Sequence, residues 1–242
     1  MFSYEFFARF PITRDFPWAN FLLFGIGAAL LIAGLFRGFG RPQVYRGKVV
    51  GSIFATIAVL LVALFSYEIF YALRQVPASA GAPRVGQKAP DFLLLDQNGK
   101  PVGLGDLVSN SKGVVLIFYR GFWRLLCNSE LRSFQQRLPE FEGRGVRVVG
   151  ISVDPPDINQ RQSQKRGYTF PLLSDPNAKV ISRYEVLHPA AGPKGRDIAR
   201  PAEFLLDSNG IVRWVNVTDN IAVRARPEQA LEALNQLSTA GQ

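Results

Sequence analysis

Cys127 is the single cysteine in 242 residues, and its neighbourhood could make a thiol reactive. Residues 114–119 form a continuous apolar run of strand length. A short loop, 120–124, follows. From Cys127 onward, Leu131, Phe134, Leu138 and Phe141 recur at helical spacing. A thiol at such a helix start sees the positive end of the helix dipole and backbone N–H groups that lack intrahelical partners. That setting favours the thiolate, the nucleophilic form of cysteine, and points to thiol redox chemistry. The same residue lies four positions before Leu131, on the apolar face, where it also fits a small buried hydrophobe. Local pattern leaves both roles open.

The rest of the chemistry is mostly exclusion. One cysteine permits no internal disulfide, no cysteine-rich zinc site and no dithiol exchange within one chain. His188 is the only histidine. It precedes a proline, reads as a loop or surface residue, and cannot build a metal site alone. The acids show no pairing suited to two-carboxylate hydrolysis. Nothing calls for a cofactor or a metal.

The elements that must position Cys127 follow from periodicity. Residues 91–95 read as a strand before an Asn98-Gly99 turn, and 147–153 as a second buried strand. Residues 157–166 and 177–184 read as helices. Residues 203–207 and 212–217 are strands joined by Ser208-Asn209-Gly210, a hairpin signal. A closing helix follows Pro227, with Ala230, Leu231, Leu234 and Leu237 as its stripe. Pro139 is expected to end or kink the helix that Cys127 opens. Alternating strands and helices with a terminal hairpin imply an α/β fold with a mixed sheet flanked by helices.

The first third of the chain is different. Residues 16–36 and 49–67 contain no charged side chain, and each is long enough to cross a bilayer as a helix. Late onset and close pairing argue against a cleaved signal peptide. Arg37, Arg41, Arg46 and Lys48 surround the short connector without an acid. The positive-inside rule then puts the connector in the cytoplasm and the C-terminal domain outside it. Gly25, Ala29 and Ala33 offer a small-residue stripe for close helix approach, and Trp18, Tyr67 and Tyr71 fit the outer interface. The expected division is a two-helix transmembrane hairpin at 1–73, a linker at 74–84 and one domain at 85–242. From Arg74 onward there are 22 Lys and Arg against 16 Asp and Glu. These charges are scattered and no nucleic-acid motif appears, so a basic face near anionic lipid is the better fit.

An ordered set of blocks resembles the peroxiredoxins, the alkyl hydroperoxide reductase and thiol-specific antioxidant branch of the thioredoxin-fold redoxins. It comprises Val85-Gly86-Gln87-Lys88-Ala89-Pro90-Asp91-Phe92, the turn at Asp96-Gln97-Asn98-Gly99-Lys100, and Phe118-Tyr119-Arg120-Gly121-Phe122-Trp123. Gly150-Ile151-Ser152-Val153-Asp154, Phe170-Pro171-Leu172-Leu173-Ser174-Asp175 and Arg200-Pro201-Ala202-Glu203-Phe204-Leu205-Leu206-Asp207 complete it. It covers about 85–217.

Similar sequences often carry Trp-Cys-Pro-x-Cys after Tyr-Arg-Gly. Here Arg124 and Leu125 stand at the first cysteine and the proline, and Cys127 takes the peroxidatic position. Arg124 also stands where peroxiredoxins place a threonine, and Arg120 where they place a proline. Glu130 matches their pattern. Pro201 resembles the cis-proline that faces the active cysteine in thioredoxin folds. Typical peroxiredoxins carry an arginine there, and here Arg200 is its neighbour.

The resemblance implies a peroxide substrate, Cys127 as nucleophile, and Arg124 and Arg200 as charges that favour its thiolate. Trp123, Glu130 and Pro201 would support the loop. With no second cysteine, reduction would need an external thiol, a thioredoxin-like protein or Cys127 of another copy, and a homodimer is compatible with this. The alternative is a redoxin domain that binds a partner or exchanges a mixed disulfide without peroxidase turnover.

Overall fold

The computed structural model describes residues 18–40, 48–221 and 224–240. It divides into two units, Met1–Gln75 and Val76–Gln242.

In the first unit, α1 (Trp18–Gly40) and α2 (Lys48–Phe70) are long and apolar enough to cross a membrane. A 3-10 turn, Ala72–Arg74, follows. Phenylalanines, not the expected small residues, join the two helices. The rings of Phe21 and Phe24 meet Phe65 edge-on, with centroids 6.0 and 5.1 Å apart. A Cβ at Gly25 would meet nothing within 4 Å, whereas one at Gly51 would touch Leu35 at 3.4 Å. Ala29 and Ala33 are exposed. A helix turns one stripe to its neighbour, and here Phe21, Phe24 and Leu35 lie on that stripe. Arg41 and Arg46 of the connector lie outside the described residues.

The second unit begins with a hairpin, β1 (Leu93–Leu95) and β2 (Pro101–Gly103), then α3 (Leu104–Ser109). The central strand β3 (Gly113–Phe118) leads into α4 (Leu125–Glu142). Next come β4 (Val146–Ser152), α5 (Pro156–Arg166), β5 (Leu172–Ser174) and α6 (Lys179–Arg183). A small ribbon pairs β6 (Leu187–His188) with β7 (Ile198–Ala199). The hairpin β8 (Ala202–Asp207) and β9 (Val212–Val217) precedes α7 (Pro227–Ala240).

The main sheet has the order β2-β1-β5-β4-β3-β8-β9. It is mixed: β3 runs parallel to β4 and antiparallel to β8. Alternation along β3 sends Val115, Ile117 and Tyr119 to one face, where they pack with Cys127, Phe134 and Leu231 of α4 and α7. Val114, Leu116 and Phe118 go to the other face, with Leu107, Ile181, Tyr184 and Phe204. Each fully buried Leu or Phe contributes about 1.5–3 kcal/mol. Helices on both faces explain why β3 is apolar throughout.

The helix does not end at Pro139. α4 runs through Pro139 to Glu142. A proline in a helix loses one N–H bond, but Leu138 and Phe141 on either side are buried in the core. Burial of these side chains holds the last turn in place, and the Gly143 N–H donates to the Pro139 carbonyl at 2.9 Å.

Candidate active site

The loop between β3 and α4 sets the approach to Cys127. Gly121 turns it with φ +136, a region that favours glycine. A Cβ there would lie 2.8 Å from Trp123 Nε1 and 3.1 Å from Asp154 Oδ2. Asp154, just beyond β4, accepts the Phe122 N–H at 2.9 Å. Burial raises the Asp154 carboxyl, while the Phe122 N–H opposes that shift. Asn128 closes the loop from the helix side, donating to the Phe122 and Arg124 carbonyls at 3.0 Å each. The Tyr168 hydroxyl donates to the Asn128 carbonyl at 3.1 Å.

α4 starts at Leu125, with Arg124 as its N-cap residue. Cys127 is therefore the third residue of the helix, and its N–H is among those with no carbonyl one turn earlier. Its side chain is fully buried. Arg224, from the loop before α7, donates from Nη2 to Cys127 Sγ at 3.8 Å. Arg224 Nε lies 3.0 Å from Glu130 Oε2, with both side chains buried. Nη1 donates to the Ile221 carbonyl at 2.6 Å. Burial pulls the Arg224 guanidinium down, but Cys127, Glu130 and Glu203 outweigh it and leave it above its ordinary value.

Glu130 in turn meets Glu203. Burial, then the charge of Glu203 and a hydrogen bond to it, hold the Glu130 carboxyl well above the carboxylate range, against the pull of Arg224. Glu203 Oε2 accepts from Asn216 Nδ2 at 2.6 Å, across the β8–β9 ladder where the two residues are partners. A line of polar groups thus runs from buried Cys127 through Arg224, Glu130 and Glu203 to half-buried Asn216.

The expected site residues are distributed unevenly. Glu130 joins Cys127 through Arg224. The Arg124 guanidinium lies over the half-exposed Trp123 ring at 5.6 Å. Arg200 points elsewhere. Its Nε bonds the Thr218 carbonyl, and Nη1 reaches the Pro77 carbonyl at 2.6 Å and Ser79 Oγ at 2.7 Å. Pro201 is buried, but its peptide bond is trans, as are all the described peptide bonds. Its carbonyl accepts the Thr218 N–H and extends the β8–β9 ladder. A proline at a strand entrance gives up no ladder bond.

His188 is half-buried rather than a surface residue. Its Nδ1 lies 3.3 Å from Arg120 Nη1. Burial and the charges of Arg120, Arg200 and Arg124 lower it to about 4, so its ring is neutral at pH 7. Arg120 is buried and also donates to the Ala191 carbonyl at 3.1 Å. Burial and Arg124 lower its guanidinium to about 10, while Cys127 supports its charge. Among the described residues no group of His, Cys, Asp and Glu could hold a metal ion.

The site thus has a buried thiol at a helix start, a guanidinium on its sulfur and a carboxyl behind that guanidinium. Residues 85–215 match the profile of the AhpC/TSA family. The chain belongs to the AhpC/TSA family. It is 37 % identical over 142 residues to alkyl hydroperoxide reductase E of Mycobacterium tuberculosis, covering 58 % of this chain and 89 % of that protein. It is 34 % identical over 160 residues to the thiol-disulfide oxidoreductase ResA of Geobacillus thermodenitrificans, covering 66 % of this chain and 82 % of that protein. Among solved structures, peroxidoxin BcpB from Mycobacterium tuberculosis superposes with a TM-score of 0.57 at 29 % identity, over 64 % of this chain and 97 % of that one. The reduced Plasmodium vivax 2-Cys peroxiredoxin gives 0.56 at 25 % identity, over 64 % and 82 %. This AhpC/TSA chain has the thioredoxin-like fold of peroxiredoxins. Its matched segment lies wholly in the second unit.

Sequence reasoning missed Arg224 and Glu203. Arg224 is one of many scattered arginines, and nothing local marks it. Glu203 carries a weak signal, as an acid in a strand otherwise apolar from Phe204 to Leu206.

Proposed function

We propose that this chain is a membrane-anchored thiol peroxidase acting through Cys127, with an external thiol as reductant. The observation that carries the reading is the Arg224 guanidinium 3.8 Å from Cys127 Sγ, at a helix start in an AhpC/TSA domain. A cation and helix N–H groups both favour the thiolate. Sγ attacks the outer oxygen of the peroxide, forming an S–O bond as the O–O bond breaks. The leaving oxygen takes a proton and departs as alcohol or water, and Cys127 becomes a sulfenic acid. One external thiol then condenses with it, releasing water and leaving a mixed disulfide. A second external thiol displaces the first as a disulfide and restores Cys127.

Residues 1–73 serve as the anchor and 74–84 as the linker. The positive charges flanking the connector favour a C-terminal domain outside the cytoplasm, and a reporter fused after Gln242 tests that side. The test of the activity is rapid mixing of the reduced full chain, in detergent, with hydrogen peroxide. Sulfenic acid at Cys127 should form orders of magnitude faster than on free cysteine, and Cys127→Ser should abolish it.

The complete burial of Cys127 favours a second reading, a redoxin domain that binds a partner without turnover. A thiol alkylated no faster than free cysteine at neutral pH, in an intact fold, would select that reading.

A further inference from the structure

Glu203 is a carboxyl in the middle of the sheet. Alternation along β8 puts its side chain on the same face as Leu205, toward α4, and opposite to Phe204. Ile117 of β3 and Asn216 of β9 are its cross-strand partners. The residue is fully buried.

The hydrogen-bond ledger here is short of one proton. Glu203 Oε2 takes the Asn216 amide, and Glu130 Oε2 faces Arg224 Nε. Both oxygens of Glu130 and Oε1 of Glu203 accept no hydrogen bond among the described residues; the ion pair with Arg224 serves Glu130 Oε2, which leaves Oε1 of each carboxyl. Two ionised carboxyls would then share one guanidinium out of reach of water, leaving a buried charge uncompensated. A proton between the carboxyls satisfies both oxygens and reduces the pair to a single negative charge.

We propose that Glu130 and Glu203 hold one proton between them, and that Glu203 is a positioning residue for Cys127. Glu130 carries the proton and donates it to Glu203, whose charge Asn216 stabilises. The negative charge of the pair then sits on Glu203, behind Glu130, and Arg224 keeps its attraction for the Cys127 sulfur. The inference rests on the reading of Cys127 as a redox thiol only where it concerns reactivity. The charged and titratable groups facing this cluster are Cys127 and Glu130 on α4, Glu203 on β8, Arg224 before α7 and Arg120 after β3. The hydroxyls of Tyr119 and Tyr168 also face it, among the described residues.

Infrared spectra of the full chain in detergent and heavy water, near neutral pH, test the proton directly. The difference between wild type and Glu203→Gln should contain the carbonyl band of a protonated carboxyl. Glutamate labelled with 13C at the side-chain carboxyl should shift that band in the wild type alone, so the test survives a variant that fails to fold. An absent band, or one that ignores the label, overturns the proposal. Alkylation of Cys127 tests the positioning role. In Glu203→Gln the negative charge moves onto Glu130, beside Arg224, and alkylation at pH 7 should slow by about tenfold, the effect of one pKa unit. If both carboxyls were ionised, the substitution would remove a charge and speed alkylation. Faster or unchanged alkylation overturns the positioning role. A wild type that shows the band but reacts slowly with peroxide would refute the peroxidase reading and leave the shared proton standing.

Discussion

Arg224 Nη2 donates to Cys127 Sγ across 97 residues of chain. The thiol comes from the first helix after the central strand, and its counter-charge from the loop before the last helix. The site is therefore complete only when α7 and its preceding loop have closed on α4. Cys127 chemistry reports on the whole domain, not on the loop that carries it.

Replacing Arg224 separates charge from packing. Arg224→Gln leaves the single negative charge of the Glu130–Glu203 pair and a Cys127 thiolate without their cation. Peroxide oxidation at pH 7 should fall at least about tenfold, and stability by about 3–5 kcal/mol, as for other broken buried pairs. Arg224→Lys should recover part of both. Stopped-flow oxidation with a sulfenic-acid probe, alongside denaturant unfolding, measures the two effects.

Arg200→Ala should behave in the opposite way. Arg200 holds Pro77 and Ser79, and its bonds do not include Cys127. Thiol oxidation should stay within about twofold, below the change that half a pKa unit would bring. The segment 76–83 should become a protease target, as exposed backbone does when its bonds are lost. Limited proteolysis with mass mapping reads this.

His188 gives a pH prediction with a definite sign. Its folded value is about 4, below the ordinary value of 6.5. Between these values the unfolded chain binds the extra proton, so stability rises with pH through that window and is lost as pH falls through it. Above 6.5 the residue contributes no slope. His188→Gln should flatten the profile between about pH 4 and 6.5 and leave it unchanged at higher pH. Denaturant midpoints taken at several pH values, wild type against variant, give the difference.

Gly121→Ala should disturb the loop. The new methyl would meet Trp123 Nε1 at 2.8 Å, in a backbone conformation of φ +136. A cost of about 1–3 kcal/mol is expected. Trp123 should move, which tryptophan fluorescence would show, and Cys127 oxidation should slow as the helix start shifts.

Much of the frame could be read from residue patterns. Val114 to Phe118 announce a doubly covered strand, and Leu131, Phe134, Leu138 and Phe141 announce the stripe of α4. Cys127 stands out by its type and its place at a helix start, a pattern that fits both a redox thiol and a small buried hydrophobe. The partners were harder, because each depends on a direction or a distance that the linear order hides. Arg200 is next to Pro201 in sequence, yet adjacent side chains in extended backbone point to opposite sides, and Arg200 turns to the 77–79 segment. Arg224 is brought to the sulfur by tertiary packing alone. Pro139 reads as a helix end or kink because propensity is local, while burial of Leu138 and Phe141 is not.

The sulfur of Cys127 has no surface open to solvent. On the peroxidase reading, this seal acts as a sieve by size. A small oxidant needs only a brief parting of side chains, whereas a protein-sized reductant must wait for the first turn of α4 to unravel. Oxidation and repair then run on separate clocks, with repair the slower. The oxidised form would outlast the encounter that made it, so the fraction of oxidised chains at any moment is a record of recent exposure.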